Sequence, residues 1–269
     1  MKMKKVLALV AACAFAVLAM AGCGSSNNAA SSGSGSGAKV LKVGSSIDFA
    51  PFEFQDEGQK EYQGFDMDLI RAVAKEMGYT ADIQNLNFDG LIPALSTGKV
   101  DMIIAGMNPT EERKQSVDFT DIYYTQKDAL VIKSEDAENI QSENDLKKAS
   151  LATQKATIQE TYLLENFPDA ALQSVPKWNT AILSLVTGKV DAVLMVETVA
   201  KQYVEQNEGL EIAGFDVAST PNESAIAVAK DNKDFLDAVN DILDEMKESG
   251  QIEELMRTNI EIMDENTVE

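Results

Sequence analysis

The chain has 269 residues, 45% of them hydrophobic and 25% charged, enough for one large domain or two lobes with real cores. Aspartate and glutamate outnumber lysine and arginine by 44 to 23, a formal charge of −21, which would repel nucleic acid and anionic lipid headgroups. Histidine is absent, so Ser-His and Cys-His nucleophile pairs and His-ligated metal sites are excluded, and no carboxylates fall at calcium-loop spacing. No catalytic residue, metal or cofactor is expected.

At the start, Lys2, Lys4 and Lys5 precede an uncharged run from Val6 to Ala21. The run is shorter than the ~20 residues that span a bilayer as a helix, so residues 1–22 read as a secretory signal peptide. Its end, Met20-Ala21-Gly22-Cys23, resembles the lipobox of bacterial lipoproteins, which implies cleavage before Cys23 and a lipid on that cysteine. The alternative is a soluble secreted protein with an incidental cysteine. Cys13 is lost with the signal, so no intramolecular disulfide can form. Gly24 to Ala38 is almost wholly Ser, Gly, Asn and Ala, which makes 23–38 a lipidated Cys followed by a flexible tether reaching roughly 20 Å.

Val40 to Ser45 alternates as a first strand and runs into the loop Ser46-Ile47-Asp48-Phe49-Ala50-Pro51. Phe65 to Met77 has apolar residues at 69, 70, 73, 74 and 77, a helix with Asp66 as N-cap and Gly78 as stop. Tyr79 to Gln84 follows as a strand, and then a repeat begins. LSTGKVDMII from Leu95 to Ile104 reappears as LVTGKVDAVL from Leu185 to Leu194, ninety residues on, with Phe88 and Trp178 at matching offsets. Each copy reads as an aromatic, a capping residue (Asp89 or Asn179), a helix of about two turns, a glycine and a hydrophobic strand. The strands are expected over Val100 to Ala105 and 190 to 195.

Between the copies, Ala129 to Lys133 and Ser150 to Thr153 read as strands, and Thr157-Ile158-Gln159-Glu160 has the capping-box spacing of a helix start. After the second copy come a helix around Val199 to Gln206, a short strand Ala225 to Ala229, a helix Asp234 to Glu248 and a last short helix Gln251 to Arg257. Helix feeding strand twice in one chain predicts two similar α/β lobes, 39–126 plus 221–269 and 127–220. Two extended crossings near Tyr124 to Leu130 and Val217 to Ser224 would form a hinge. The strand ends at Ala105 to Asn108 and Met195 to Thr198 would face each other, and such ends are where open α/β sheets hold ligands.

Asn108-Pro-Thr-Glu-Glu-Arg113 follows the first repeat strand, with Thr110 as N-cap and Arg113 at the third helical position. A guanidinium fork beside a helix start suits a ligand carboxylate, at ~1.5–3 kcal/mol per charge-assisted bond. The competing reading is a surface arginine paired with Glu111, Glu112 or Asp118. Lys99-Val-Asp101 and Lys189-Val-Asp191 read as turns whose aspartates bond backbone, and the methionines at 67, 77, 246 and 256 as core.

Four runs, PFEF at Pro51, GFDMDLIRAVAKEMG at Gly64, FDGLIPALSTGKVDMIIAGM at Phe88 and TEERKQSVDFTDIYY at Thr110, resemble the polar-amino-acid solute-binding proteins of bacterial ABC importers. The resemblance extends from Lys39 to the last helix. It implies a two-lobed periplasmic-binding-protein-like (flytrap) fold, a free amino acid as ligand, an ABC permease complex as partner, and action as a monomer outside the cytoplasm. It also implies that Arg113 clamps the ligand's α-carboxylate. Gly106 and Asn108 would help, as would Thr157, Ile158 and Gln159 at the second-lobe helix start. Phe49 and Phe88 would sandwich the ligand, with cation–π attraction of roughly 0.5–2 kcal/mol for a cationic one.

The chain departs from the family pattern where the ligand's ammonium is held. Ser46 stands where the first-lobe Asp is usual, with Asp48 two residues on, and Val196 stands where the second-lobe acid is usual, with Glu197 beside it. Either Glu197 or Asp48 balances the ammonium, or the ligand lacks one. A few relatives of this fold dehydrate prephenate-like acids, so an arogenate dehydratase-like enzyme is the alternative function. A receptor sensor domain is a third reading.

Overall fold

The structure is a computed structural model that describes residues 39–56, 58–218 and 221–267. The expected signal peptide, Cys23 and the tether lie outside the described residues. Two five-stranded sheets organise the rest, giving two α/β lobes. The first takes β1 (Lys39–Ser45), β2 (Tyr79–Asn85), β3 (Met102–Ile103), β4 (Val117–Phe119) and β12 (Ala227–Ala229) in the order β2-β1-β3-β12-β4. The second takes β6 (Asp128–Lys133), β7 (Ser150–Gln154), β8 (Ala171–Val175), β9 (Ala192–Val196) and β10 (Leu210–Ile212) in the order β10-β6-β9-β7-β8. Strands β1, β2 and β3 are parallel, as are β7, β8 and β9, so in each sheet the carboxyl ends of three strands point the same way.

Hydrophobic patterning explains why helices cover both faces of these sheets. Along β9, Ala192 and Leu194 join one core with Leu163 of α4 (Ile158–Asn166). The alternate residues Val193 and Met195 join another with Ile182 and Leu185 of α5 (Trp178–Val186) and Val199 of α6 (Glu197–Gln206). On the first sheet, α1 (Phe65–Glu76) packs with α7 (Lys233–Glu248) and α8 (Gln251–Thr267), burying Leu69, Ile70, Val239, Leu243 and Met256. The opposite face carries α2 (Leu91–Ser96) over Ile103 and Ala227.

The repeat folds as one device used twice. Lys99 N–H bonds Ala94 O at 2.9 Å and Lys189 N–H bonds Ser184 O at 2.8 Å, closing each helix before its strand. Asp101 then exchanges bonds with Lys42 on β1, donating its N–H to Lys42 O and accepting Lys42 N–H, both at 2.8 Å. Asp191 does the same with Ser150 on β7, both at 2.7 Å. The two aspartates thus fix the register of adjacent parallel strands, the backbone role their turn position predicts.

The chain passes between the sheets along β5 (Tyr124–Gln126) and β11 (Asn222–Ser224), which pair antiparallel as a two-stranded ribbon. Several local expectations change. Asp66 does not cap α1, whose N-cap is Gly64; it lies one residue inside and is buried. Neither Asp89 nor Asn179 caps its helix, and α5 begins at Trp178. Strand β3 spans only Met102–Ile103, because β12 pairs with just these two residues before the chain turns off into the cleft. The last helix runs ten residues beyond its expected end at Arg257, because Ile252, Met256 and Met263 keep one face buried. Strands β4, β8 and β10 were not expected, and β5 and β11 were expected only as extended crossings.

Candidate ligand-binding cleft

Four strand ends converge on one recess. Ser46 follows β1, Ala105 and Gly106 follow β3, Gln154 ends β7 and Val196 ends β9, and all five line one narrow recess. Parallel strands expose their last backbone groups at the carboxyl edge, where no helix covers them, and here two such edges meet. Phe49, Phe88 and Trp178 supply apolar walls, with Asn108, Thr157, Gln159 and Asn222 as the polar lining. Phe49 stacks on Trp178 with ring centroids 6.2 Å apart, joining a loop of the first sheet to a helix of the second.

Arg113 comes from a one-turn helix, α3 (Glu111–Lys114), whose N-cap Thr110 accepts the Arg113 N–H. Its half-buried guanidinium bonds Asn108 O at 2.7 Å and reaches across the cleft to Ala156 O at 2.8 Å. It also sits 5.3 Å from the centre of the Phe88 ring. Burial draws its pKa down to about 10, against the pull of Glu112, so it stays charged at neutral pH. Beside it opens a second, wider recess lined by Arg113, Ala156, Ile158, Tyr162 and Glu223, which shares Asn108 and Thr157 with the first. The side-chain hydrogen bonds of Arg113 run to carbonyls on both sides of the cleft rather than to Glu111, Glu112 or Asp118.

Residues 41–261 match the family model described as "Bacterial extracellular solute-binding proteins, family 3". The chain belongs to that family. The arginine-binding extracellular protein ArtP of Bacillus subtilis is 38% identical over 81% of this chain and 85% of its own length. A probable histidine-binding protein of Campylobacter jejuni is 36% identical over 81% and 83%. The crystal structure of the amino acid ABC transporter substrate-binding protein AbpA from Streptococcus pneumoniae, bound to L-arginine, superposes with a TM-score of 0.80 at 35% identity, covering 83% of this chain and 95% of that one. The chain is therefore an extracytoplasmic solute-binding protein with the two-lobed fold, and a binding protein rather than an enzyme. Among the described residues no helix is long and apolar enough to cross a membrane, and no cluster of acidic side chains or thiols could hold a metal.

In this solute-binding protein Ser46, Phe49, Phe88, Gly106, Asn108, Thr157 and Gln159 all line the inner recess, and Arg113 and Ile158 line its wider neighbour. Several polar groups are already engaged. Gly106 N–H donates to Asp66 Oδ2 at 2.9 Å; with φ at 55° and any Cβ only 2.8 Å from Phe49 Cε1, this position makes room for the ring. Asn108 Nδ2 bonds Asn222 Oδ1 and Glu223 O, and Gln159 Nε2 bonds Asp128 Oδ1 at 2.7 Å. Thr157 Oγ caps α4 by accepting Glu160 N–H, while the Glu160 carboxylate takes the Ala156 N–H instead of completing a capping box.

Neither acid expected at the ligand's ammonium lines the inner recess. Glu197 opens α6 and turns away, pairing with Lys201 at 3.1 Å and Lys127 at 3.8 Å, because one step along a strand end reverses the side chain and leaves Val196 facing in. Asp48 lies in the loop after β1 with its side chain 4% exposed, and it ties the lobes together. It accepts Trp178 N–H at 2.7 Å and Ser46 O–H at 3.2 Å, with Lys177 Nζ at 3.6 Å. Burial raises its pKa, opposed by Lys177 and the Trp178 N–H.

The acid that does line the recess is Glu53, within the PFEF run. It is 1% exposed, and its Oε2 has no hydrogen-bond donor among the described residues. Backbone bonds between Glu53 and Phe49 in both directions, at 2.8 and 3.1 Å, fold the loop so that it turns inward. Burial, then the neighbouring Asp66, pushes its pKa well above the carboxylate range. Alternation around Pro51 gave no sign of this; only an acid flanked by two phenylalanines in an otherwise apolar run could have signalled it.

Proposed function

We propose that this protein is a lipid-anchored receptor, held at the membrane by Cys23, that captures a free amino acid and delivers it to an ABC permease complex as a monomer. The lobes 39–126 plus 221–269 and 127–220 would close on the ligand about the β5–β11 ribbon. The observation that carries the reading is Arg113, whose guanidinium spans the cleft beside a recess built from four strand ends. Two of its five N–H groups are on carbonyls, and the others would fork onto the ligand's carboxylate. The rings of Phe49, Phe88 and Trp178 would flank the ligand's stem, and Glu53 would balance its positive charge.

An amino acid carrying an additional cation fits this acid best, in line with the arginine and histidine named for the relatives. A thermal-shift screen of the twenty common amino acids tests the reading: a true ligand at 100 times its Kd adds about 2.7 kcal/mol of stability. No shift with any of them would remove amino acids as the ligand class.

A further inference from the structure

Glu53, which lines the recess, forms a carboxyl pair with Asp66. Asp66 sits in the first turn of α1, where its N–H bonds Phe52 O at 2.9 Å, so its side chain lies within hydrogen-bond reach of Glu53 one residue further along the loop. Both are buried, at 1% and 0% exposure. The Asp66 carboxylate is well supplied with donors: Tyr123 O–H at 2.9–3.0 Å to both oxygens and Gly106 N–H at 2.9 Å. Glu53 Oε2 has none among the described residues. The other charged groups set against Glu53 are Asp48 and Lys177, and Lys177 is committed to Asp48 and Ser46.

Two buried carboxyl groups in contact do not both ionise without a cation between or beside them. The donors around Asp66 favour its anion, which places the proton on Glu53, bonded to Asp66. Resting on the amino-acid reading, we propose that Glu53 exchanges this proton for the ligand's side-chain cation, so that capture of a cationic amino acid releases one proton to solvent. Glu53–COOH and the cation become Glu53–COO⁻ paired with the cation, plus H⁺, and mass and charge balance. A neutral amino acid leaves the pair protonated. Burial and the neighbouring Asp66 carboxylate raise Glu53's affinity for its proton well above that of an ordinary glutamate, so the proton is in place when the cation arrives. The linkage gives sign and size: protons compete with the cation, so affinity falls as pH drops, by up to about tenfold per unit below the pair's titration.

The test is calorimetry on the full chain with L-arginine and L-glutamine as probes, in two buffers of different ionisation enthalpy, from pH 5 to 8. The expected result is release that approaches one proton per arginine on the acid side of Glu53's titration, none with glutamine, and loss of the release in Glu53→Gln. Should Glu53→Gln not fold, proton counting on the parent protein stands alone. Arginine binding without proton release at any pH overturns the exchange while leaving the amino-acid reading intact. If neither probe binds, the amino-acid reading loses its support, and carboxyl ¹³C shifts of the unliganded protein decide the pair: a Glu53 resonance titrating at the ordinary glutamate value overturns it.

Discussion

Replacing Asp48 separates a latch from a ligand contact. Its carboxylate lies in the loop after β1 yet accepts the N–H of Trp178, the first residue of α5 on the other sheet, with only 4% of the side chain exposed. A hydrogen bond to a charged group is worth about 1.5–3 kcal/mol, and a carboxylate at a helix start adds about 0.3–1 kcal/mol. The Lys177 pairing at 3.6 Å, with the lysine 27% exposed, adds at most about 1 kcal/mol. Asp48→Ala should thus remove about 2–4 kcal/mol from the arrangement in which the lobes touch. With the lobes apart the Trp178 N–H would turn to water. If the ligand binds the closed arrangement, this appears as a Kd weakened by about 30- to 1,000-fold.

Asp48→Asn keeps an oxygen for the Trp178 N–H as a neutral bond, so the loss should shrink to about 1–2 kcal/mol, or about 5- to 30-fold. Calorimetry with L-arginine reads the affinities, and small-angle scattering of the unliganded variants should show Asp48→Ala the more extended. Equal loss in both variants with unchanged scattering would refute the latch, since a charge contact to a ligand ammonium cannot be replaced by Asn.

Three further outcomes are expected. Arg113→Ala should weaken L-arginine binding at least 100-fold, about 3 kcal/mol, with Arg113→Lys intermediate because an ammonium cannot fork onto a carboxylate; a loss under tenfold by calorimetry would exclude the guanidinium from the ligand. Gly106→Ala should cost about 2–4 kcal/mol, from a left-handed φ of 55° and a Cβ 2.8 Å from Phe49, and unchanged thermal melting would contradict that close approach. Burial lifts Asp66 from 3.8 to about 6, and a raised folded-state pKa gives stability that is full below the unfolded value and lost as pH rises through the folded one. The unliganded protein should therefore lose on the order of 3 kcal/mol between pH 4 and 8, and Asp66→Asn should flatten that slope in thermal melts; parallel curves would refute it.

What the sequence made legible was whatever is repeated or periodic. The two GKVD copies announced two helix-to-strand units because each uses the same local chemistry, a helix stop and an aspartate that bonds the neighbouring strand's backbone. Long amphipathic helices such as α1 and α7 were readable for the same reason, whereas β4, β8 and β10 are short strands fixed by partners far along the chain. The recess itself was readable at Ser46, Gly106, Asn108, Thr157 and Gln159, which stand at or just beyond strand ends.

The acids were not readable, and the reason is physical. A carboxylate's role depends on which way one loop turns, and neither spacing nor composition reports that. Asp66 reads as a helix cap by position but is drawn inward by Tyr123 and Gly106. Asp48 reads as a ligand partner but spends its oxygens on the far lobe's backbone. Glu197 is turned outward by a single step along β9, and Glu53, hidden between two phenylalanines, takes the inward place. Ser46 and Val196 stand where the resemblance led to acids being expected, and the acid lining the recess is instead Glu53, buried beside Asp66. Under the proposed exchange, specificity for positive charge would depend on how firmly Asp66 holds its partner's proton, which is set by Tyr123 and Gly106, neither of which bears a charge at neutral pH.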